Sequence, residues 1–221
     1  MIINHKYKFI FIHIPRTGGI STREALEKLG GSVVYDQAGW KHIRGKIVVY
    51  GEPQLGPLGP HEVLTEYINK ADLKNADTYF KWARVRNPWD RLVSIYNRRR
   101  NTVRWYQTGT HPAQEAIDNP FEAWVEIQIN TTKPPWRHRV FNQRRFIKDQ
   151  GLDFVSRFEN INEDFSFFCD KVGLPQIKLP HKNGWKHNSY KEYYNKKLID
   201  KLLSFDSFRE DLDYLNYDYQ P

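Results

Sequence analysis

Apolar positions fall along this chain in two recurring patterns, short continuous runs and helical stripes, and their order predicts a fold class. Lys8-Phe9-Ile10-Phe11-Ile12-His13-Ile14 is nearly all apolar and rich in β-branched residues, as a strand buried on both faces of a parallel sheet requires. The run stops at Pro15. After a short loop to Gly19, Arg23 to Leu29 reads as a helix capped by Ser21 or Thr22 and closed by Gly30-Gly31. Ile47 to Tyr50 predicts a second strand, followed by the Gly/Pro-rich loop Gly51 to Pro60, then His61 and a helix around Leu64 to Ile68. Thr78 to Val85 predicts a third strand ending in Arg86-Asn87-Pro88. There Asn87 suits a cap and Pro88 the first helical position, so a helix is expected from about Trp89 to Arg100.

Asn101 to Pro120 and Thr131 to Trp136 are polar and turn-rich, and they flank a helix near Phe121 to Gln128. Phe154 to Phe158 predicts a fourth strand, and Glu163 to Val172 a helix closed by Gly173 and Pro175. The tail from Tyr193 to Tyr217 reads as one or two helices packing through Leu198, Leu202, Phe205, Phe208 and Leu212. The alternation of strands and helices predicts an α/β fold: a P-loop-like, mainly parallel sheet with helices on both faces. No repeat or low-complexity segment interrupts it, and 221 residues suit one domain spanning 1–221.

Composition narrows the class. Hydrophobic residues at 39% with 13 glycines are ordinary for a globular protein and exclude a disordered or collagen-like chain. A net charge of +8 favours an anionic partner, whether nucleic acid, nucleotide or acidic glycan. A lone cysteine, Cys169, excludes an intramolecular disulfide and is expected simply to pack in its helix, which fits a cytoplasmic address. No stretch approaches the ~20 apolar residues that span a bilayer, and Phe9 to Ile14 is too short for a signal-peptide core, so a soluble protein without membrane contact is expected.

Chemistry concentrates at the two strand-to-helix turns, which a parallel sheet would bring to its carboxyl edge, where ligands bind. In Pro15-Arg16-Thr17-Gly18-Gly19-Ile20-Ser21-Thr22 the glycines let backbone N–H groups approach an anion, the helix start adds positive charge, and Arg16, Thr17, Ser21 and Thr22 add donors. Ile20 and Ser21 stand where an ATPase or kinase loop has its Lys and Ser/Thr, so this loop has no need to hold Mg-ATP. In isolation it also reads as a plain helix start. In Arg86-Asn87-Pro88-Trp89-Asp90-Arg91-Leu92-Val93-Ser94-Ile95-Tyr96, Arg86 follows a buried strand while Arg91 and Ser94 lie within two helical turns, a set able to converge on a second phosphate.

Together the two turns resemble those of the PAPS-dependent sulfotransferases, in particular the group that includes carbohydrate sulfotransferases acting on heparan- or chondroitin-type chains and their bacterial relatives. The resemblance implies that Arg16, Thr17, Gly18, Gly19, Ser21 and Thr22 hold the 5′-phosphosulfate. It implies that Arg86 and Ser94, with Arg91, hold the 3′-phosphate, leaving 3′,5′-ADP as product and requiring no metal. His61 resembles the general base; from the residues alone it reads equally well as a loop histidine without a role. Arg16 departs from the family's usual Lys: it can stabilise charge on the leaving oxygen but cannot hand over a proton. Further landmarks in family order are Gln143, Arg157-Phe158-Glu159-Asn160 and the aromatic terminal helix. Asn183 and Lys186, with Lys182, resemble a late loop closing over the nucleotide; taken singly, each reads more readily as part of a solvated charge run. The 101–145 region is expected to set acceptor specificity, with Trp136, Gln143 and Arg144 touching a carbohydrate that the surplus of cations allows to be acidic; the cations there, taken singly, read equally well as a solvated basic surface. Golgi-anchored animal members contrast with this short chain, which suggests a bacterial-like soluble member or an excised domain.

Two other classes compete. The basic surface interleaved with Trp and Tyr would suit single-stranded nucleic acid but leaves both turns unexplained. A nucleotide kinase or ATPase is disfavoured by the missing Lys-Ser/Thr pair.

Overall fold

The computed structural model describes residues 2–26, 29, 32–35, 41–43, 46–48, 76–101, 112–131, 140–180 and 189–221. The chain forms two compact units, one from Met1–Val85 with Arg145–Lys182, the other from Arg86–Arg144 with Asn183–Pro221.

The first unit is built on a sheet. Its described strands are β1 (Ile2–Asn4), β2 (Phe9–Ile12), β3 (Ser32–Tyr35), β4 (Lys41–Ile43), β5 (Lys46–Val48), β6 (Phe80–Val85) and β7 (Phe154–Arg157), in spatial order β5-β4-β3-β1-β2-β6-β7. The α/β class holds, but the sheet is mixed rather than mainly parallel. Only β2 with β6 and β6 with β7 run parallel; the other four pairings are antiparallel. Connection length explains the difference. Residues 5–8 and 44–45 are too few for a crossover and suffice for hairpins, whereas the long intervals before β6 and β7 permit parallel return. The first hairpin closes with the Asn4 side chain accepting the Tyr7 N–H (2.8 Å) and Lys8 in the left-handed region (φ 51°).

All four residues of β2 are fully buried, as a strand covered on both faces requires. On one face Phe9, Phe11 and Trp82 meet Ala25 and Leu26 of α1 (Gly19–Leu26) in a single cluster. The same cluster takes in Phe165, Phe168 and Cys169 of a later helix, Ile161–Lys171. Trp82 stacks on Phe168 with ring centroids 4.2 Å apart. Cys169 packs as expected, and burial pushes its thiol up from the ordinary value. The first helix begins at Gly19, earlier than a Ser21 or Thr22 cap would put it, and β6 begins at Phe80 because Ala76–Thr78 is a 3₁₀ turn.

The second unit is helical: α2 (Pro88–Arg100), α3 (Pro112–Asp118), α4 (Phe121–Asn130) and, after the sheet unit's Ile161–Lys171 (α5), α6 (Lys196–Leu203) and α7 (Asp206–Leu215). Asn87 caps α2 by accepting the Trp89 N–H at 2.9 Å, with Pro88 at the first position. Leu198, Leu202, Phe208 and Leu212 enter one core with Trp89, Trp124 and Phe141, while Phe205 packs against its edge. The Trp89 indole N–H donates to the Asp218 carbonyl (3.0 Å) and the Tyr194 hydroxyl donates to the Trp89 carbonyl (2.7 Å), which ties the chain's tail to the start of α2. No helix among the described residues is long and apolar enough to cross a membrane.

The cap makes a direct prediction. Asn87→Ala should lower unfolding free energy by about 1 kcal/mol and Tm by about 2–4 °C, while Asn87→Asp, which keeps the acceptor, should lose less. Equal melting temperatures for the Ala variant and the wild type would remove the cap from the stability of α2.

Candidate functional site

The loop of the sheet unit follows β2 at its carboxyl end. Arg16 and Gly18 both adopt left-handed backbone, at φ 68° and 81°; for Arg16, a side-chain-bearing residue, this is a strained conformation of the kind that clusters at functional sites. The buried Thr17 hydroxyl donates to the Ile14 carbonyl (2.9 Å), folding the loop back on the strand. Thr22 is the first residue to close the helix, its N–H reaching the Gly18 carbonyl at 3.2 Å and its hydroxyl the same oxygen at 3.3 Å. The N–H groups of Gly18, Gly19, Ile20 and Ser21 therefore have no acceptor within α1, which is the donor set an anion uses at a helix start.

Both glycines are required by their neighbours. A Cβ on Gly18 would lie 2.8 Å from Ile161 Cδ1 and 3.2 Å from the Phe158 ring. The Arg157-Phe158-Glu159-Asn160 landmark thus supplies a wall against the loop. A Cβ on Gly19 would lie 1.9 Å from His13 Cδ2. His13, which sequence reasoning left as the end of a strand, is therefore part of the loop's support, with its ring at 19° to that of Phe11. Thr17 and Thr22 were expected to turn their hydroxyls to a ligand; both are buried and donate to backbone carbonyls of the loop, so their contribution is to its shape.

One residue of this unit was missed altogether. Arg84 on β6 is fully buried and donates from Nη1 to the Thr22 hydroxyl at 2.6 Å. Burial lowers its pKa to about 10, against the opposing field of Asp164, so it carries its charge at neutral pH. The signal was an Arg at a position where the period-2 pattern of Trp82 continues into the core face.

The second turn belongs to the helical unit. Arg86 is buried, and its Nε pairs with Asp90 Oδ2 at 2.7 Å. Its backbone is held from both sides by one side chain: Gln143 Oε1 accepts the Arg86 N–H (3.0 Å) and Gln143 Nε2 donates to the Arg86 carbonyl (2.8 Å). Gln143 was expected at the acceptor. It is fully buried with both ends of its amide spent on Arg86, so it acts as a clamp. Asp211 of α7 holds the clamp in turn, Oδ2 accepting from Gln143 N–H (2.7 Å) and Oδ1 from Arg144 N–H (2.9 Å). Arg144, also expected at the acceptor, pairs its guanidinium with Glu210. Arg91, expected with Arg86 and Ser94 at the second phosphate, is buried and donates from Nη1 to the Val140 carbonyl at 2.7 Å; burial lowers its pKa to about 10, with Asp211 opposing. Ser94 is nearly buried, two turns into α2. His61, Trp136, Asn183 and Lys186 lie outside the described residues. Among the described residues no three His, Cys, Asp or Glu side chains gather to hold a metal ion.

The chain matches a known family model over nearly its whole length. The sulfotransferase family model covers residues 1–219. The chain belongs to the sulfotransferase family. It is 20% identical to carbohydrate sulfotransferase 14 of Danio rerio over 203 residues, 84% of this chain and 52% of the relative. To the Mus musculus carbohydrate sulfotransferase 14 it is 20% identical over 200 residues, 84% of this chain and 50% of that one. The chain thus spans about half the length of these curated relatives. No solved structure matches it.

The geometry of the loop and of the Asp211 contacts makes two predictions. Gly19→Ala should destabilise strongly in the wild-type background and far less in His13→Ala, because the imidazole that the new methyl would strike is gone; thermal melts of the four proteins give the coupling. Additive effects would mean that His13 is not what Gly19 accommodates. The second concerns Asp211, whose burial raises its pKa from 3.8 to about 6 despite the two N–H donors and the nearby Arg91 and Arg144. Because the folded state then binds the proton more readily than the unfolded one, this group's contribution to stability is greatest below about pH 4 and falls as pH rises to about 6. The unfolding free energy of wild type relative to Asp211→Asn should accordingly drop by up to about 3 kcal/mol over that window and stay flat above it. A difference independent of pH would show that Asp211 does not titrate there.

Proposed function

We propose that the protein transfers the sulfuryl group of PAPS to a hydroxyl of a carbohydrate acceptor. The observation that carries the reading is the loop at the end of β2, where left-handed Arg16 and Gly18, the donor set at the start of α1 and the buried charge of Arg84 make a site for an oxyanion without the Lys-Ser/Thr pair of an ATPase. Family membership supports the chemistry, and the carbohydrate acceptor follows the names of the two relatives.

The residues present fit the donor. PAPS, when bound, supplies an activated sulfuryl group and a leaving 3′,5′-ADP. The loop N–H groups and the Arg16 guanidinium would hold the 5′-phosphosulfate, and Arg86 with Ser94 the 3′-phosphate. Arg16 stays protonated at any working pH, so it steadies negative charge on the departing oxygen by charge and hydrogen bonding alone. Asp90 and the Gln143 clamp fix Arg86 in advance, which lowers the ordering cost of gripping a phosphate. The proton of the acceptor hydroxyl is assigned to His61, a group whose ordinary pKa of ~6.5 suits that task.

Thermal-shift titration with 3′,5′-ADP, with 5′-AMP and Mg-ATP as controls, tests the reading without knowledge of the acceptor. At 100 times its dissociation constant 3′,5′-ADP should add ~2.7 kcal/mol, a rise of roughly 5–11 °C for a chain of this size. Arg86→Ala should cut the response to 3′,5′-ADP far more than that to 5′-AMP. A rise with Mg-ATP or with single-stranded RNA, and none with 3′,5′-ADP, would overturn the assignment in favour of a kinase-like or nucleic-acid-binding protein.

A further inference from the structure

Arg84 lends buried charge to the glycine loop, but its own contacts point to a more specific part. The side chain has no exposed surface, and only Nη1 has a partner among the described residues, the Thr22 hydroxyl at 2.6 Å. Nε and Nη2 are buried without one. The guanidinium carbon lies 5.2 Å from the Trp82 ring centre, so an aromatic face covers part of the charge. Asp164 supplies an opposing field, but its Oδ2 already accepts the Arg157 N–H at 2.6 Å. The cross-strand neighbour Ser156 donates its hydroxyl to the Ala83 carbonyl.

Two helix starts lie near the side chain, and the carboxylate of Asp164 stands in the first turn of one of them. Thr22 stands in the first turns of α1, and the Gly18 that precedes that helix abuts Ile161, the first residue of α5. Two helix N-termini, each with partial positive charge, therefore adjoin at the loop beside a buried guanidinium. Asp164 offsets part of that charge, and the two buried guanidinium nitrogens without a partner among the described residues leave donors that an anion would complete. The Thr22 hydroxyl gives the cation a mechanical link as well. It accepts from Arg84 while donating to the Gly18 carbonyl, which fixes that peptide at the point where the loop turns into the helix.

We propose that Arg84 is a positioning residue for the anion held at the glycine loop: it locks the Thr22 hydroxyl against the Gly18 carbonyl and adds buried positive charge beside the N–H groups that receive the 5′-phosphate end of the nucleotide. The inference rests on the sulfuryl-donor reading of that loop. Its signature is selectivity. Arg84 should matter for the 5′-phosphate and be indifferent to the 3′-phosphate, which the other turn receives.

Affinities of 3′,5′-ADP and 3′-AMP, measured by calorimetry on the full chain, separate the two phosphates. The wild type should prefer 3′,5′-ADP. Arg84→Met, which keeps length and apolar volume but removes charge and donors, should reduce that preference about tenfold or more with 3′-AMP binding unchanged, and Arg84→Lys should restore part of it. An unchanged preference in Arg84→Met, or equal losses for both ligands, would overturn the role. A wild type with no preference between the ligands would overturn the loop reading itself, a distinct result visible before any variant is made. Should the Met variant not fold, Thr22→Val carries the same test by removing only the linking hydroxyl: a selective loss of 3′,5′-ADP supports the role and an unchanged preference refutes it.

Discussion

The parallel pairing of β2 with β6 is the constraint on which the sheet unit depends. Its register sets Phe9 against Phe80 and Ile12 against Ala83, and pairing stops there. Apart from Lys81, the residues up to that line are aromatic and aliphatic, with Phe11 and Trp82 side by side at 4.6 Å. One residue further, β2 has already become His13 and the loop, while β6 continues to Arg84 and Val85. With a side-chain period of two, Arg84 emerges on the face of Trp82 but one layer higher, level with the start of α1. The register thus decides that the residue meeting Thr22 is an arginine rather than a tryptophan.

Within the helical unit a comparable part is played by a single carboxylate. Asp211 holds two consecutive backbone N–H groups, and the side chain of the first of those residues grips Arg86 at both its N–H and its carbonyl. Buried ions of this kind are weak evidence for stability, because desolvation offsets most of what the pairing gains. Their worth here is geometric. Under the proposed function Arg86 meets a phosphate, and it would gain from having its backbone fixed by a planar amide and its fork oriented by Asp90 before the ligand arrives. The raised pKa of Asp211 is the cost of that arrangement.

Much of this was legible in the sequence because it depends on local chemistry. A strand with both faces buried reads as an unbroken apolar run, and Phe9–Ile12 is one; an Asn-Pro pair after a strand reads as a capped helix start, and Asn87-Pro88 is one. The amphipathic tail was readable through Leu198, Leu202, Phe208 and Leu212 for the same reason. What escaped depends on partners distant in the chain. The strand Ile2–Asn4 is too short to show a period, and its antiparallel pairing depends on a hairpin four residues long. Gly18 and Gly19 were read as room for an anion, whereas the immediate demand on them comes from Ile161, Phe158 and His13. Gln143 looked like a polar residue ahead of a strand and became a backbone clamp only because Arg86, far earlier in the chain, lies against it. Asp211 did leave a trace, an acid on the stripe of Phe208, Leu212 and Leu215, but a stripe does not say what it faces.

The arginine at position 16 gains meaning from Arg84. A lysine there could both neutralise and protonate a leaving oxygen; an arginine can only neutralise. Held at φ 68°, with the loop tied back through Thr17, Arg16 occupies a backbone conformation that side-chain-bearing residues adopt at a cost, so its position is set by the loop rather than by its own preference. Arg84 likewise keeps its proton, since even its lowered pKa of about 10 is far above neutrality. The two arginines therefore give the loop charge that does not depend on proton transfer near neutrality, beside the His13 imidazole that packs against Gly19. Neither arginine can hand over a proton near neutrality, so under the proposed reaction that task falls to another group.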